Sequence, residues 1–93
     1  MAVTVYIPTP FRRATSNRDR IEVRPGDINT VLDELEAAYG GLRGLVRNER
    51  GELHRHIAIY VNSEAIDALE GLSTPLSDGD EVAIIPALAG GRC

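Results

Sequence analysis

Apolar residues recur along this chain with two different periods. Val3, Val5 and Ile7 alternate with Thr4 and Tyr6, the period-two pattern of a strand with one buried face, and Pro8 and Pro10 end it because proline brings no amide hydrogen to a ladder. Residues 12–17 are polar and read as a turn. Arg20-Ile21-Glu22-Val23 resumes the alternation before Pro25-Gly26, which predicts a hairpin partner for the first strand.

The period then changes to that of a helix. Asp27 offers a carboxylate to free helix amides, and Ile28, Val31, Leu32, Leu35 and Tyr39 follow at spacings of three and four, with Glu34 and Glu36 on the solvent side. Gly40 and Gly41 predict a left-handed ending. Leu42, Leu45 and Val46 extend the packing, and residues 48–52 form a solvated, mobile loop by composition. From Leu53 the period is two again, placing Ile57, Ile59 and Val61 on one face of a third strand and His54, His56, Ala58 and Tyr60 on the other. Asn62-Ser63 marks a turn, residues 65–72 are irregular, and Ser77-Asp78-Gly79-Asp80 is a tight acidic turn. Glu81-Val82-Ala83-Ile84-Ile85-Pro86 is apolar enough for a central strand shielded on much of both faces. These elements predict an α+β domain, a ubiquitin-like β-grasp with a mixed four- to five-stranded sheet and one main helix across one face. It occupies residues 1–87, and residues 88–93 form a flexible C-terminal arm.

Composition narrows the chemistry. The 93 residues are 43% hydrophobic and 26% charged, ordinary globular proportions for one small domain. No apolar run approaches the ~20 residues of a membrane span and no signal segment opens the chain, so the expectation is a cytoplasmic protein without a membrane partner. The net charge of -4 leaves no cation excess for nucleic acid. A single cysteine, Cys93, excludes a disulfide framework and any centre that needs four thiolates. All ten basic residues are arginine, so no side-chain amine exists to accept an isopeptide bond.

The turn and strand from Leu76 to Pro86, followed by Ala87-Leu88-Ala89-Gly90-Gly91, resemble the C-terminal signature of the ThiS/MoaD sulfur-carrier family. Acidic turn, apolar strand, proline and diglycine arm fall in the family's order. Two further segments, Val3 to Thr9 and Leu53 to Asn62, resemble the actinobacterial CysO-type branch, and the likeness covers nearly the whole chain. It implies a protein that is no enzyme and binds no cofactor of its own, but is acted on by others. An E1-like adenylyltransferase of the MoeB/ThiF type uses ATP and Mg to join the terminal glycine carboxyl to AMP. Sulfide from a sulfurtransferase or persulfide donor then displaces AMP and leaves a thiocarboxylate on Gly91. A sulfur-accepting synthase, cysteine synthase-like or thiazole/thiosugar synthase-like, consumes it. Gly90, Ala89 and Leu88 form the arm; glycine lacks a Cβ, so the arm can thread a narrow channel. Leu88 has no evident place in a core and is expected to anchor the arm on its partner.

One departure matters. Gly91 is followed by Arg92 and Cys93, so its carbonyl is an amide, which cannot be adenylated. The resemblance implies that a JAMM-type metallopeptidase cleaves between Gly91 and Arg92. A self-cleavage by Cys93 is disfavoured by spacing, because an N-to-S acyl shift would attack the Arg92 carbonyl.

Other candidates carry less. His54 and His56 could begin a metal site, but no third ligand stands at suitable spacing, and with Tyr60 they are better assigned to a sheet face that a partner grips. Asp78 and Asp80 flank Gly79 as turn formers rather than as a catalytic pair. The competing function class is a β-grasp adaptor that docks a partner and is never activated.

Overall fold

The structure is a computed structural model that describes residues 2–86. Five strands form one mixed sheet: β1 (Val3–Tyr6), β2 (Arg20–Val23), β3 (Ile57–Val61), β4 (Glu64–Ala65) and β5 (Glu81–Pro86), in the order β2-β1-β5-β3-β4. The central pair β1 and β5 is parallel, and the remaining pairs are antiparallel. A parallel pair needs a long crossover. Helix α1 (Ile28–Ala38) and everything up to β5 lie within it, and α1 covers one sheet face.

The two periods meet in a single core. Val3, Val5 and Ile7 from the first segment, Val23 from β2, Ile57, Ile59 and Val61 from β3, and Val82 and Ile84 from β5 are all buried against Ile28, Val31, Leu32 and Leu35 of the helix. Asp27 caps α1 as expected, its carboxylate accepting from the Thr30 amide at 2.7 Å.

Several expectations are corrected. Residues 12–17 are not a plain turn, because a 3-10 helix runs over Thr9–Thr15 and buries Phe11 and Thr15; the Thr15 hydroxyl sits within hydrogen-bonding distance of the Arg12 and Arg18 carbonyls. Gly40 and Gly41 do not provide a left-handed ending. The helix ends at Tyr39 with φ −131°, and Gly40–Leu42 continues as a 3-10 turn. Left-handed backbone appears instead at Gly44, Gly51, Gly71 and Gly79. Residues 65–72 are organised into β4 and two 3-10 turns, Ile66–Ala68 and Gly71–Ser73, which bury Ile66 and leave Leu69 exposed. The third strand begins at Ile57, not at Leu53, because Leu53 bridges back to Arg47 and the Ile57 amide turns onto the His54 carbonyl. Nor is β5 shielded on both faces: Ile85 is 46% exposed.

Glu36 does not face solvent freely either. Arg47, buried to 9% exposure, reaches back across α1 from the following loop. Its Nη2 donates to Asp33 at 2.7 Å and lies 3.1 Å from Glu36, its Nε donates to Glu36 at 3.3 Å, and its Nη1 donates to Asn29 at 3.1 Å. Asn29, Asp33 and Glu36 stand at spacings of four and three, one stripe of the helix, so one guanidinium can bind all three. The clamp ties the long loop before β3 to the outer side of α1.

Candidate functional site

The sheet face opposite α1 carries the side chains that alternate away from the core. In the ladders Tyr6 pairs with Ala83, and Ala83 pairs with Tyr60, so a small residue lies between two tyrosines in one row across the three central strands. The next row pairs Ala58 with Ile85. Thr4, Tyr6, Ala58, Tyr60 and Ala83 are half-buried, and Ile85 is exposed. Because β5 is the central strand, this shallow apolar strip runs directly to Pro86, where the segment leading to the diglycine begins.

The acidic turn before β5 explains why its carboxylates are there. Asp80 accepts from the Ser77 amide at 2.8 Å and from the Asn62 side-chain amide at 3.1 Å. Asp78 accepts from the Ala2 amide at 2.7 Å, and the Gly79 amide donates to the Ala2 carbonyl at 2.9 Å. Gly79 has φ +91°, the positive value that the third position of a type II turn requires, and the Asp80 amide closes the turn on the Ser77 carbonyl. Asn62 completes the clip by accepting from the Glu81 amide at 3.0 Å. The turn thus joins the chain start, the β3–β4 turn and the entry to β5. Both carboxylates serve that joint, and it fixes the strand from which the arm departs.

His54 and His56 are brought together, though not on the strand. They lie in the turn before β3, with ring centroids 5.4 Å apart and planes inclined by 30°. His54 Nε2 is 2.7 Å from the Gly44 carbonyl oxygen, which can only accept, so this nitrogen carries the proton in that bond. Ile57 pairs with Pro86, so the histidine turn stands beside the root of the arm, whereas Tyr60 sits three residues further along β3. The expected His54, His56 and Tyr60 surface is therefore two adjoining regions, an imidazole pair at the arm's root and an apolar strip beside it. Among the described residues, no group of three or more histidine, cysteine, aspartate or glutamate side chains is placed to hold a metal ion. No helix among them is long and apolar enough to cross a membrane. Leu88, Ala89, Gly90, Gly91, Arg92 and Cys93 lie outside the described residues, as does the expected boundary between domain and arm at residues 87 and 88.

Sequence reasoning missed Ile85 and Ala83 as surface residues. The signal was present, since the alternation of β5 puts them on the face that α1, the one long helix among the described residues, cannot cover. It also missed Arg47, for which no local pattern exists.

The comparisons with known proteins agree with this geometry. The ThiS family model matches residues 5–91. The sulfur carrier protein CysO of Mycobacterium tuberculosis is 41% identical over 93 residues, covering 98% of this chain and all of that one. The crystal structure of the Amycolatopsis orientalis BexX/CysO complex contains a chain that superposes with a TM-score of 0.89 at 37% identity, over 97% of this chain and 100% of that chain. The crystal structure of Mycobacterium tuberculosis CysO matches with a TM-score of 0.86 at 38% identity, over 92% and 99% of the two chains. With a β-grasp fold, an acidic turn that anchors the central strand, and a family match running through the diglycine, this chain belongs to the ThiS family of sulfur-carrier proteins.

Proposed function

We propose that this protein carries sulfur as a thiocarboxylate on Gly91 and is a substrate of partner enzymes rather than an enzyme. The observation that supports it most is where the family match ends: it runs through residue 91 and leaves out Arg92-Cys93. The chemistry proceeds in three steps. A JAMM-type metallopeptidase hydrolyses the Gly91–Arg92 amide and frees the carboxylate. An E1-like adenylyltransferase of the MoeB/ThiF type, with ATP and Mg, converts that carboxylate to an acyl-adenylate and releases pyrophosphate. The terminal sulfur of a persulfide donor attacks the acyl carbon and AMP departs; a thiol then reduces the S–S bond of the resulting acyl disulfide, becoming a disulfide itself, and the thiocarboxylate is ready for a sulfur-accepting synthase of a cysteine or other sulfur-metabolite pathway.

The protein's own part is presentation. The apolar strip of Tyr6, Ala83, Tyr60 and Ile85 adjoins Pro86, so a partner that seats this face holds the end of the strand that precedes the arm. Large aromatic and aliphatic side chains in such a strip supply binding at low ordering cost. His54 and His56 border the same exit and complete the partner surface. A relative's complex with BexX supports docking of a folded partner on a carrier of this type.

Two versions test the proposal, one ending at Gly91 and one full length. Incubated with an E1-like enzyme, Mg·ATP, a persulfide donor and a thiol reductant, the shorter chain exchanges one terminal oxygen for sulfur in its intact mass, and the longer chain stays unchanged until the metallopeptidase is added. No exchange in the shorter chain across several activating enzymes overturns the carrier assignment and leaves the adaptor. Deleting residues 88–93 separates the two classes again, because an adaptor retains its partner and its function while a carrier loses sulfur transfer.

A further inference from the structure

The charge of this molecule is divided unevenly along the chain. Five of the ten arginines fall within residues 12–24, beside only Asp19 and Glu22, while the other twelve acidic side chains lie further along the chain. Arg13, Arg18, Arg20 and Arg24 are exposed, and among the described residues none of them forms an ion pair. Three of these cations, Arg18, Arg20 and Arg24, stand on or beside β2 without an ion-pair partner, in a chain whose net charge is -4.

That strand is also an open edge. The Ile7 amide donates to the Asp19 carbonyl at 2.8 Å, one rung beyond the Tyr6–Arg20 pair that ends the β1–β2 ladder. Hydrogen-bonded and non-hydrogen-bonded pairs alternate in an antiparallel ladder. Ile21 and Val23 therefore turn their backbone groups toward β1, and Arg20 and Glu22 turn theirs outward. Among the described residues, no other backbone group bonds to those of Arg20 or Glu22. Side chains follow a different alternation, so Arg20 and Glu22 project onto the bare sheet face beside Tyr6. A groove of about 710 Å³ lies along this edge, lined by Tyr6, Arg18, Arg20 and Tyr39 and, toward β5, by Glu22 and Glu81, so its cationic part is the end at Arg18 and Arg20.

We infer that the free edge of β2 is a second docking site, which takes an extended acidic segment of a partner protein as an added antiparallel strand. Outward amides and carbonyls of Arg20 and Glu22 supply the main-chain bonds, and the guanidinium groups of Arg18, Arg20 and Arg24 select acidic side chains. Glu22 interrupts the arginine row, so the matched strand is neutral or basic opposite it. The site is on the far edge from β4 and does not require an activated Gly91, so it stands or falls independently of the thiocarboxylate.

The bland account is that charged side chains keep an open edge from pairing at all. A second copy is another occupant, since antiparallel pairing of two β2 strands about Ile21 would set Arg20 of each opposite Glu22 of the other. A blocked synthetic peptide Glu-Val-Gln-Val-Glu-Val-Glu, which in the antiparallel register sets glutamate opposite Arg18, Arg20 and Arg24 and glutamine opposite Glu22, is titrated into the isotopically labelled full chain to distinguish these. Docking gives saturable amide shifts centred on β2 and slows exchange of the Arg20 and Glu22 amides by at least about tenfold. It weakens as ionic strength rises from about 0.01 to 0.15 M, where the Debye length falls from about 30 to 8 Å. Arg20→Glu keeps the fold and loses affinity by at least about tenfold. Glu22→Pro removes an amide that faces solvent, a change that an edge strand tolerates, and it abolishes the protection at Arg20. No binding, equal binding of a lysine-valine peptide, or shifts without amide protection overturns the inference. So does a dimer of the free protein that Glu22→Arg dissociates, which would assign the edge to a second copy.

Discussion

Removing Arg47 tests how this small domain holds its longest loop. The side chain is only 10% exposed, and its two carboxylate partners differ sharply, Glu36 at 20% and Asp33 at 71%. An exposed ion pair contributes about 0.2 to 1 kcal/mol, so the Asp33 leg is small although it is the shortest contact. Breaking a fully buried pair costs about 3 to 5 kcal/mol, which bounds the Glu36 leg from above. Glu36 is partly exposed and can turn to water once freed, so about 2 kcal/mol is expected for Arg47→Ala. For a domain of this length each kcal/mol lowers Tm by about 4 to 8 °C, giving a drop of about 8 to 16 °C. Burial by itself pulls the guanidinium pKa down, yet the bonds to Asp33 and Glu36 outweigh it and raise it, so the cation persists throughout the measurable range. Arg47→Met retains the aliphatic stem and separates charge from packing. Double-mutant cycles with Glu36→Gln and Asp33→Asn, read by urea unfolding, should give a coupling of about 1 to 2 kcal/mol for Glu36 and under about 0.5 kcal/mol for Asp33. A larger coupling for Asp33, or a loss below about 0.5 kcal/mol for Arg47→Ala, would refute the reasoning that burial rather than distance sets the strength.

Leu35→Ala removes a fully buried side chain and should cost about 2 to 5 kcal/mol in denaturant unfolding, whereas Glu34→Ala on the same helix should change it by about 0.5 kcal/mol or less. Asn62 and Ser63 form the two-residue turn between β3 and β4 with φ of 51° and 73°. Such turns favour glycine at the second position, so Ser63→Gly should raise the unfolding free energy measured in urea by about 0.5 to 1 kcal/mol. Backbone and side-chain hydrogen bonds from Thr30 hold the Asp27 carboxyl below its usual value of 3.8. The lowered pKa means that the cap's contribution is complete above 3.8 and is lost as pH falls through the lower folded value, so Asp27→Asn should flatten the acid limb of a stability curve there. Ile85→Asp should leave Tm nearly unchanged, because the side chain is 46% exposed, while slowing adenylation of the chain that ends at Gly91. Unchanged adenylation kinetics would move the partner surface off the bare sheet face.

Where one side chain's period or chemistry decided the outcome, the sequence alone determined it. The alternation of Val3, Val5 and Ile7, the spacing of Ile28 to Leu35, the Asp27 cap and the acidic turn at Gly79 were legible, because each depends on residues within one or two turns of chain. The order of the diglycine after an apolar strand was equally legible. Only tertiary structure decided the rest. Gly40 and Gly41 are not a left-handed cap because Tyr39 packs against the core and the chain continues into a 3-10 turn. His54 and His56 left the strand because Leu53 was taken by Arg47, a contact between segments that no period announces. One helix covers one face of a five-stranded sheet, so an apolar β5 must leave half its side chains bare, and the pairing of Ala83 between Tyr6 and Tyr60 is what turns that remainder into a strip leading to the arm.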